Sequence, residues 1–166
     1  MKIDDDHQYH GAALIQIAES PQFTAINQFK FGAETSRNAY QINNNIGVYL
    51  KYASKPAPPH SEYTFTFHSE HLAELSRIAG KVENVFIAMV CVKVRQICCL
   101  SYESLTSLIQ RREVAKGEPE KHYVILVTAR RNESFHVYVN KPHVKNTMAG
   151  KPLIISLKDF PEVIFR

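Results

Sequence analysis

A continuous apolar run from Val85 to Val92 constrains the fold of this chain more than any other segment. Its length suits a strand, and it has no polar position that could face water. A strand of this kind is normally covered on both faces. The run therefore predicts a central strand within residues 82–92, and Ile97 to Leu100 is expected to pair with it across a short polar turn.

Three helices and several further strands are predicted around that centre. Apolar residues recur at helical spacing from His10 to Glu19, from Glu70 to Ala79, and after a capping Ser101. The remaining segments are β-prone and lie at 23–31, 40–54, 62–67, 122–128 and 135–139, the last two forming a hairpin. This order predicts one α+β domain over residues 1–166. It has a mixed central β-sheet flanked by helices, and a helix and hairpin in its C-terminal half. Residues 1–8 are expected to form a frayed N-terminus.

The composition is that of a soluble globular protein. No apolar run approaches the roughly 20 residues that a membrane helix requires. The acidic segment Met1 to His7 lacks the apolar core of a secretory signal, so the cytoplasm is the expected location. Three cysteines, an odd number, lie in apolar stretches and are expected to be buried and reduced: Cys91, Cys98 and Cys99.

Positive charge is concentrated in the C-terminal half. Residues 93–151 hold eleven Lys and Arg against five Glu, a net of +6. Such a surface permits a polyanion partner, and DNA is the expected one. The predicted contacts are Arg111, Arg112, Arg130 and Arg131, with aromatic residues between them that could stack on bases. The alternative is a solvated rim with the aromatic residues packed in the core.

A lysine stands within a strand that is otherwise built to be half buried. The Asn43–Asn45 cluster leads into the β-prone segment Ile46 to Tyr52, and Lys51 lies inside it. Such a lysine either extends its charged end to water or is placed for chemistry. His68 and His71 lie three residues apart near a helix start, a spacing that favours surface or capping roles over a zinc site.

The element order over about residues 10–100 resembles the αβββαβ core of the PD-(D/E)XK, or restriction-endonuclease-like, superfamily. In that family a helix Glu, a strand Asp and a Glu-x-Lys motif hold Mg²⁺ and activate water. The resemblance implies that Glu19 is the helix glutamate and that Asn45 stands in the Asp place. Glu62-Tyr63-Thr64 then fills the Glu-x-Lys place with Lys51 supplying the lysine, and Glu19 and Glu62 are the expected Mg²⁺ ligands.

A second alignment takes Tyr49-Leu50-Lys51 as the Glu-x-Lys motif, with Glu34 or Asn38 in the Asp place. Because an amide brings no negative charge to a metal, the resemblance implies a nucleic-acid-binding domain of nuclease-like fold with weak or no catalysis. An active Mg²⁺-dependent endonuclease is one alternative. A protein-interaction subunit without nucleic-acid contact is another.

Overall fold

The computed structural model describes residues 1–22, 24–58 and 61–166. Phe23, the first residue of the predicted segment 23–31, lies outside the described residues. Helices and strands follow one another in this order: α1 (Asp5–Ala18), β1 (Ile26–Phe31), β2 (Glu34–Ile42), β3 (Ile46–Ala53), β4 (Glu62–His68), α2 (Ser69–Ala79), β5 (Asn84–Cys91), β6 (Gln96–Ser101), α3 (Tyr102–Lys116), β7 (His122–Thr128), β8 (Phe135–Tyr138), β9 (Leu153–Ile155) and a 3₁₀ helix (Glu162–Phe165).

The central sheet is mixed and has the strand order β1-β2-β3-β5-β6. β3 and β5 run parallel, with Leu50 opposite Ala88, and the other pairs are antiparallel. β5 lies between β3 and β6, and its residues from Ile87 to Cys91 are buried. The predicted α+β fold with a mixed sheet is therefore confirmed, and so is the pairing of the apolar run with residues 97–101.

A second, antiparallel sheet was not predicted, and it has the order β4-β7-β8-β9. β4 belongs to this sheet, where Phe65 pairs with Ile125. The buried face of β4, expected from its alternation, packs into the same core cluster as Tyr49 and Ile87 of the central sheet. Four strands rather than three therefore lie between α1 and α2.

Two boundaries differ from the predicted ones because of short polar contacts. The segment 40–54 is two strands, since Asn43–Asn45 form the turn that joins β2 to β3, and Asn43 adopts a left-handed φ of 54°. Helix α1 begins at Asp5 rather than His10. The Asp4 carboxylate accepts the His7 N–H at 3.0 Å, and His7 Nδ1 accepts the Asp4 N–H at 3.2 Å. Residues 5–8, expected to be frayed, are thus the first helical turn.

The two faces of β3 pack against different elements. Val48 and Leu50 lie in a cluster with Ala13 and Ile17 of α1. Tyr49 lies on the other face, with β4, α2 and α3. Because side chains alternate along a strand, Lys51 follows Tyr49 on that second face. None of the helices described is both long and apolar enough to cross a bilayer.

Candidate functional site

A cleft opens beside Lys51 because β2 separates from β3. The last paired residues are Ala39 and Tyr49, so β3 continues from Leu50 without β2 beside it. The Ser36 hydroxyl accepts the N–H groups of Asn38 and Ala39 at 3.2 and 2.9 Å. These two bonds stabilise the backbone of β2 at the point where it separates from β3. The resulting cavity has a volume of about 150 Å³. We call it the Lys51 cleft, and its walls include Asp6, His10, Asn38, Tyr49, Lys51 and His71.

The Lys51 amine is held by neutral groups. Its Nζ donates to the Thr66 carbonyl oxygen at 2.6 Å and lies 3.5 Å from His71 Nδ1. It also lies 4.7 Å from the centre of the Phe67 ring. Among the described residues no carboxylate forms an ion pair with it. Burial without a compensating charge lowers the pKa of Lys51 to about 8.

The His71 ring supplies an acceptor rather than a charge. Its Nδ1 accepts the backbone N–H of His68 at 3.1 Å, so the ring proton of the neutral form lies on Nε2. Burial, and after it the positive charge of Lys51, lower the pKa of His71. The predicted surface or capping roles are confirmed, since His68 is exposed and His71 accepts the capping hydrogen bond, but the contact between His71 and Lys51 was not predicted.

A buried hydroxyl shares the cleft with the amine. Tyr49 is 1% exposed, and its hydroxyl has no hydrogen-bond partner among the described residues. The Asn38 side chain lies close enough to influence Tyr49 but falls outside hydrogen-bonding geometry. Burial is the main cause that raises the pKa of Tyr49. Tyr49 is therefore a neutral donor without an acceptor, which is costly unless a ligand or water supplies one.

The four residues assigned by the first alignment are not brought together. Asn45 and Lys51 are separated by six residues along β3, which is about 20 Å. The start of α1, with Asp6 and His10, lies beside Lys51. Glu19 follows the far end of α1, nine residues or about 14 Å beyond His10.

Glu62 also lies away from the lysine. It begins β4, four residues or about 13 Å from the Thr66 carbonyl that Lys51 contacts. Its carboxylate accepts a hydrogen bond from the Tyr138 hydroxyl. The two carboxylates predicted to bind Mg²⁺ thus occupy separate places. Within the part of the chain that is described, no group of three or more His, Cys, Asp or Glu side chains is arranged to hold a metal ion.

The second alignment fares differently. Asn38, Tyr49 and Lys51 all line the Lys51 cleft. Glu34 is not part of it and pairs instead with Arg77 at 3.6 Å. Three residues of the second alignment therefore lie at one cleft. Tyr49 and Asn38, however, bring a hydroxyl and an amide where the family has carboxylates.

The predicted arginines divide into two pairs. Arg112 donates to the Glu120 carboxylate at 2.8 and 3.0 Å and to the Asn140 carbonyl at 2.7 Å, and Arg111 donates to the Lys151 carbonyl at 2.7 Å. These contacts tie α3 to the loops that follow it. Asn140 lies five residues, or about 17 Å, beyond the start of β8 at Phe135. Arg111 and Arg112 are therefore engaged with the loop that follows β8, whereas Arg130 and Arg131 lie in the turn that precedes it.

Arg130 and Arg131 belong to a different basic surface, built from three turns. The backbone N–H of Val92 donates to the Ala53 carbonyl at 3.0 Å, which places the turn after β3 beside the turn between β5 and β6. Val94 of the second turn and Arg130 and Arg131 of the β7–β8 turn line one cavity. We call this surface the basic end, and its cations are Lys55, Lys93, Arg95, Arg130 and Arg131.

The cations of the basic end are exposed and unneutralised. None of the five forms an ion pair with a described carboxylate. The cavity between the turns has a volume of about 310 Å³, with Val94, Ala129 and Leu157 among its apolar walls and two arginines at its rim. Sequence reasoning missed three of these cations because it treated each turn only as a connection between strands.

Tyr138 is one of the aromatic residues near the predicted arginines that were expected to be able to stack on bases. It is 3% exposed, and its hydroxyl is bonded to Glu62, so its ring is not available for stacking.

Comparisons with protein-family models, with curated proteins and with solved structures return no match. The likeness to the restriction-endonuclease-like superfamily therefore stays a prediction.

Proposed function

We propose that this protein binds nucleic acid through the basic end. The observation that carries the proposal is the convergence of five exposed, unpaired cations from three separate turns. Cations in ion pairs, such as Arg112 and Lys116 with Glu120, have their charge already compensated. Unpaired ones are free to replace the counterions of a phosphate backbone.

The cavity of the basic end favours a single strand. Its apolar walls, which include Val94 and Leu157, can cover the face of one unstacked base. Arg130 and Arg131 at its rim can then contact the phosphates on either side of that base. Bases in a duplex are stacked and cannot enter such a cavity. We therefore expect single-stranded DNA or RNA to bind more tightly than a duplex of the same sequence.

The test is fluorescence anisotropy with labelled single-stranded and duplex oligonucleotides at several salt concentrations. If all five cations contact phosphates of a single strand, the logarithm of the binding constant falls with the logarithm of salt at a slope of about −3.5. The double variant Arg95→Ala/Arg131→Ala should weaken binding and reduce that slope by about 1.4.

The matched control is Lys81→Ala/Lys121→Ala, which also removes two exposed positive charges. Lys121 precedes β7, whose other end leads into the turn with Arg130, so it is about 23 Å from the basic end. This control should leave affinity and slope unchanged. An equal loss of affinity in both variants would show that only the net charge of the protein matters, which would contradict a specific surface. Absence of binding at low salt would refute the proposal.

A further inference from the structure

One hydrogen bond fixes the Lys51 amine. Its Nζ donates to the Thr66 carbonyl oxygen at 2.6 Å and lies 3.5 Å from His71 Nδ1. The single lone pair of that ring nitrogen already accepts the His68 N–H, so His71 gives the amine only a shared, weak acceptor. Lys51 lines the cleft, and the unprotonated amine can therefore present its lone pair there.

The Tyr49 hydroxyl supplies the complementary group. It is a buried donor that lacks an acceptor among the described residues, and Tyr49 lines the same cavity of about 150 Å³. A nucleophilic lone pair and a hydrogen-bond donor that share a small cavity match the two ends of a carbonyl group. The carbon would meet the amine, and the oxygen would accept from the hydroxyl.

We propose that Lys51 is a carbonyl-reactive amine, and that the Lys51 cleft takes a small neutral aldehyde or ketone which forms an imine with Lys51 Nζ. A neutral substrate is specified because Asp6 is part of the wall and would repel a carboxylate on the substrate. The cleft is separate from the basic end, and neither proposal depends on the other.

The step conserves atoms and electrons without an oxidant or reductant. The Lys51 lone pair forms a bond to the carbonyl carbon, and the π electrons move to the oxygen, which is held by the Tyr49 hydroxyl. Proton transfer from nitrogen to oxygen gives the carbinolamine. Loss of that oxygen as water, with one further proton from solvent, leaves the protonated imine. Hydrolysis reverses the sequence.

The reactivity of Lys51 should exceed that of ordinary lysines near neutral pH. Between pKa values of about 8 and 10.5 the unprotonated fraction at pH 7 differs by about 300-fold. The titratable groups around the amine are Asp6 and His10 from α1 and His71 from α2, with Glu70 and Glu74 of α2 beside His71. His10 and His71 have lowered pKa values, chiefly through burial, so both are neutral at this pH.

The experiment uses propanal with sodium cyanoborohydride at pH 7, which reduces any imine to a stable secondary amine. Intact mass and peptide mapping then give the rate of labelling at each lysine. We expect Lys51 to be labelled at least tenfold faster than the exposed Lys30 and Lys81. Mapping also separates labelling of the α-amino group of Met1 from labelling of the lysines.

Two variants make the result specific. Lys51→Arg should lose the fast adduct. Tyr49→Phe should keep the fold, because it removes only a hydroxyl without a partner, and should slow labelling of Lys51 about tenfold or more. A thermal melt confirms that each variant is folded.

Pyruvate, a charged ketone, is the comparison substrate and should label Lys51 more slowly than propanal. Labelling of Lys51 at the rate of an exposed lysine would overturn the proposal. An unchanged rate in Tyr49→Phe, or faster labelling by pyruvate, would overturn the assignment of the hydroxyl or of the substrate class.

Discussion

Replacement of Gly47 by alanine should destabilise this protein, because the central sheet packs closely against α2 at that position. A Cβ atom at Gly47 would lie 2.6 Å from Ile78 Cγ2, 3.2 Å from Val82 Cγ2 and 3.6 Å from Phe29 Cε2. The first distance is well inside van der Waals contact. Ile78 is fully buried, so its methyl group has no free space into which it can move.

The expected magnitude is a balance of two opposing effects. Alanine in a strand is favoured over glycine by about 0.5–1 kcal/mol through the entropy of the unfolded chain. Overpacking of a buried site costs about 1–3 kcal/mol. The clash with Ile78 should dominate, and we expect a net loss of about 1–2 kcal/mol in the free energy of unfolding. For a chain of this length the melting temperature should fall by about 2–8 °C.

The assay is urea unfolding followed by circular dichroism, with the denaturant dependence checked for an unchanged slope. The matched control is Gly11→Ala in α1, where a Cβ atom meets nothing within 4 Å. Alanine should stabilise that helical position by about 0.5–1 kcal/mol. A Gly47→Ala variant as stable as the unsubstituted protein would show that β3 and α2 are not packed as described.

Three further predictions follow from buried or paired groups. The three cysteines are buried with raised pKa values, so an Ellman titration should label them only after unfolding, and fast native labelling would contradict their burial. Arg112 is the main cause that lowers the pKa of Glu120 from 4.5 to about 2, so this contribution to stability is present above pH 4.5 and is lost as pH falls towards 2. Glu120→Gln should therefore show a weaker pH dependence of unfolding in that window, and an unchanged acid titration would contradict it. Lys51 has a folded pKa of about 8 against 10.5 unfolded, so stability relative to Lys51→Met should rise from pH 8 to 10.5, and urea titrations at both pH values test the sign.

The interior strand was predictable from sequence because its signal is local. An apolar run such as Val85 to Val92 must be buried wherever the chain folds, and its neighbour at 97–101 follows after a short turn. The second sheet is a different case. The alternation of Tyr63, Phe65 and Phe67 shows that one face of β4 is buried, but it does not show against which strand. Phe65 pairs with Ile125, sixty residues later, and that pairing depends on the whole fold.

The turn at Asn43–Asn45 shows how a local signal was given the wrong weight. Three consecutive asparagines between two β-prone segments are typical of a turn, since asparagine tolerates the left-handed conformation that Asn43 adopts. Asn45 was instead given the Asp place of the family motif, and residues 40–54 were treated as one β-prone segment. The separation of β2 from β3 that opens the Lys51 cleft was therefore not predicted.

Lys51 was singled out for a sound physical reason, whereas the groups expected around it were taken from the family likeness. A charge in an apolar strand needs compensation, and the family likeness supplied carboxylates as the expected compensating groups. Spacing along a strand fixes only the distance along that strand, about 3.3 Å per residue, so Asn45 could never have reached the amine six residues away. What lies across from Lys51 is decided by how β4 and α2 pack on β3, and they bring a carbonyl and an imidazole. A carbonyl oxygen and an imidazole bring no negative charge, so they do not offset the cost of burying an ammonium ion, whereas carboxylates would have favoured that ion. Burial therefore lowers the pKa of this lysine, which raises the fraction of nucleophilic amine near neutral pH.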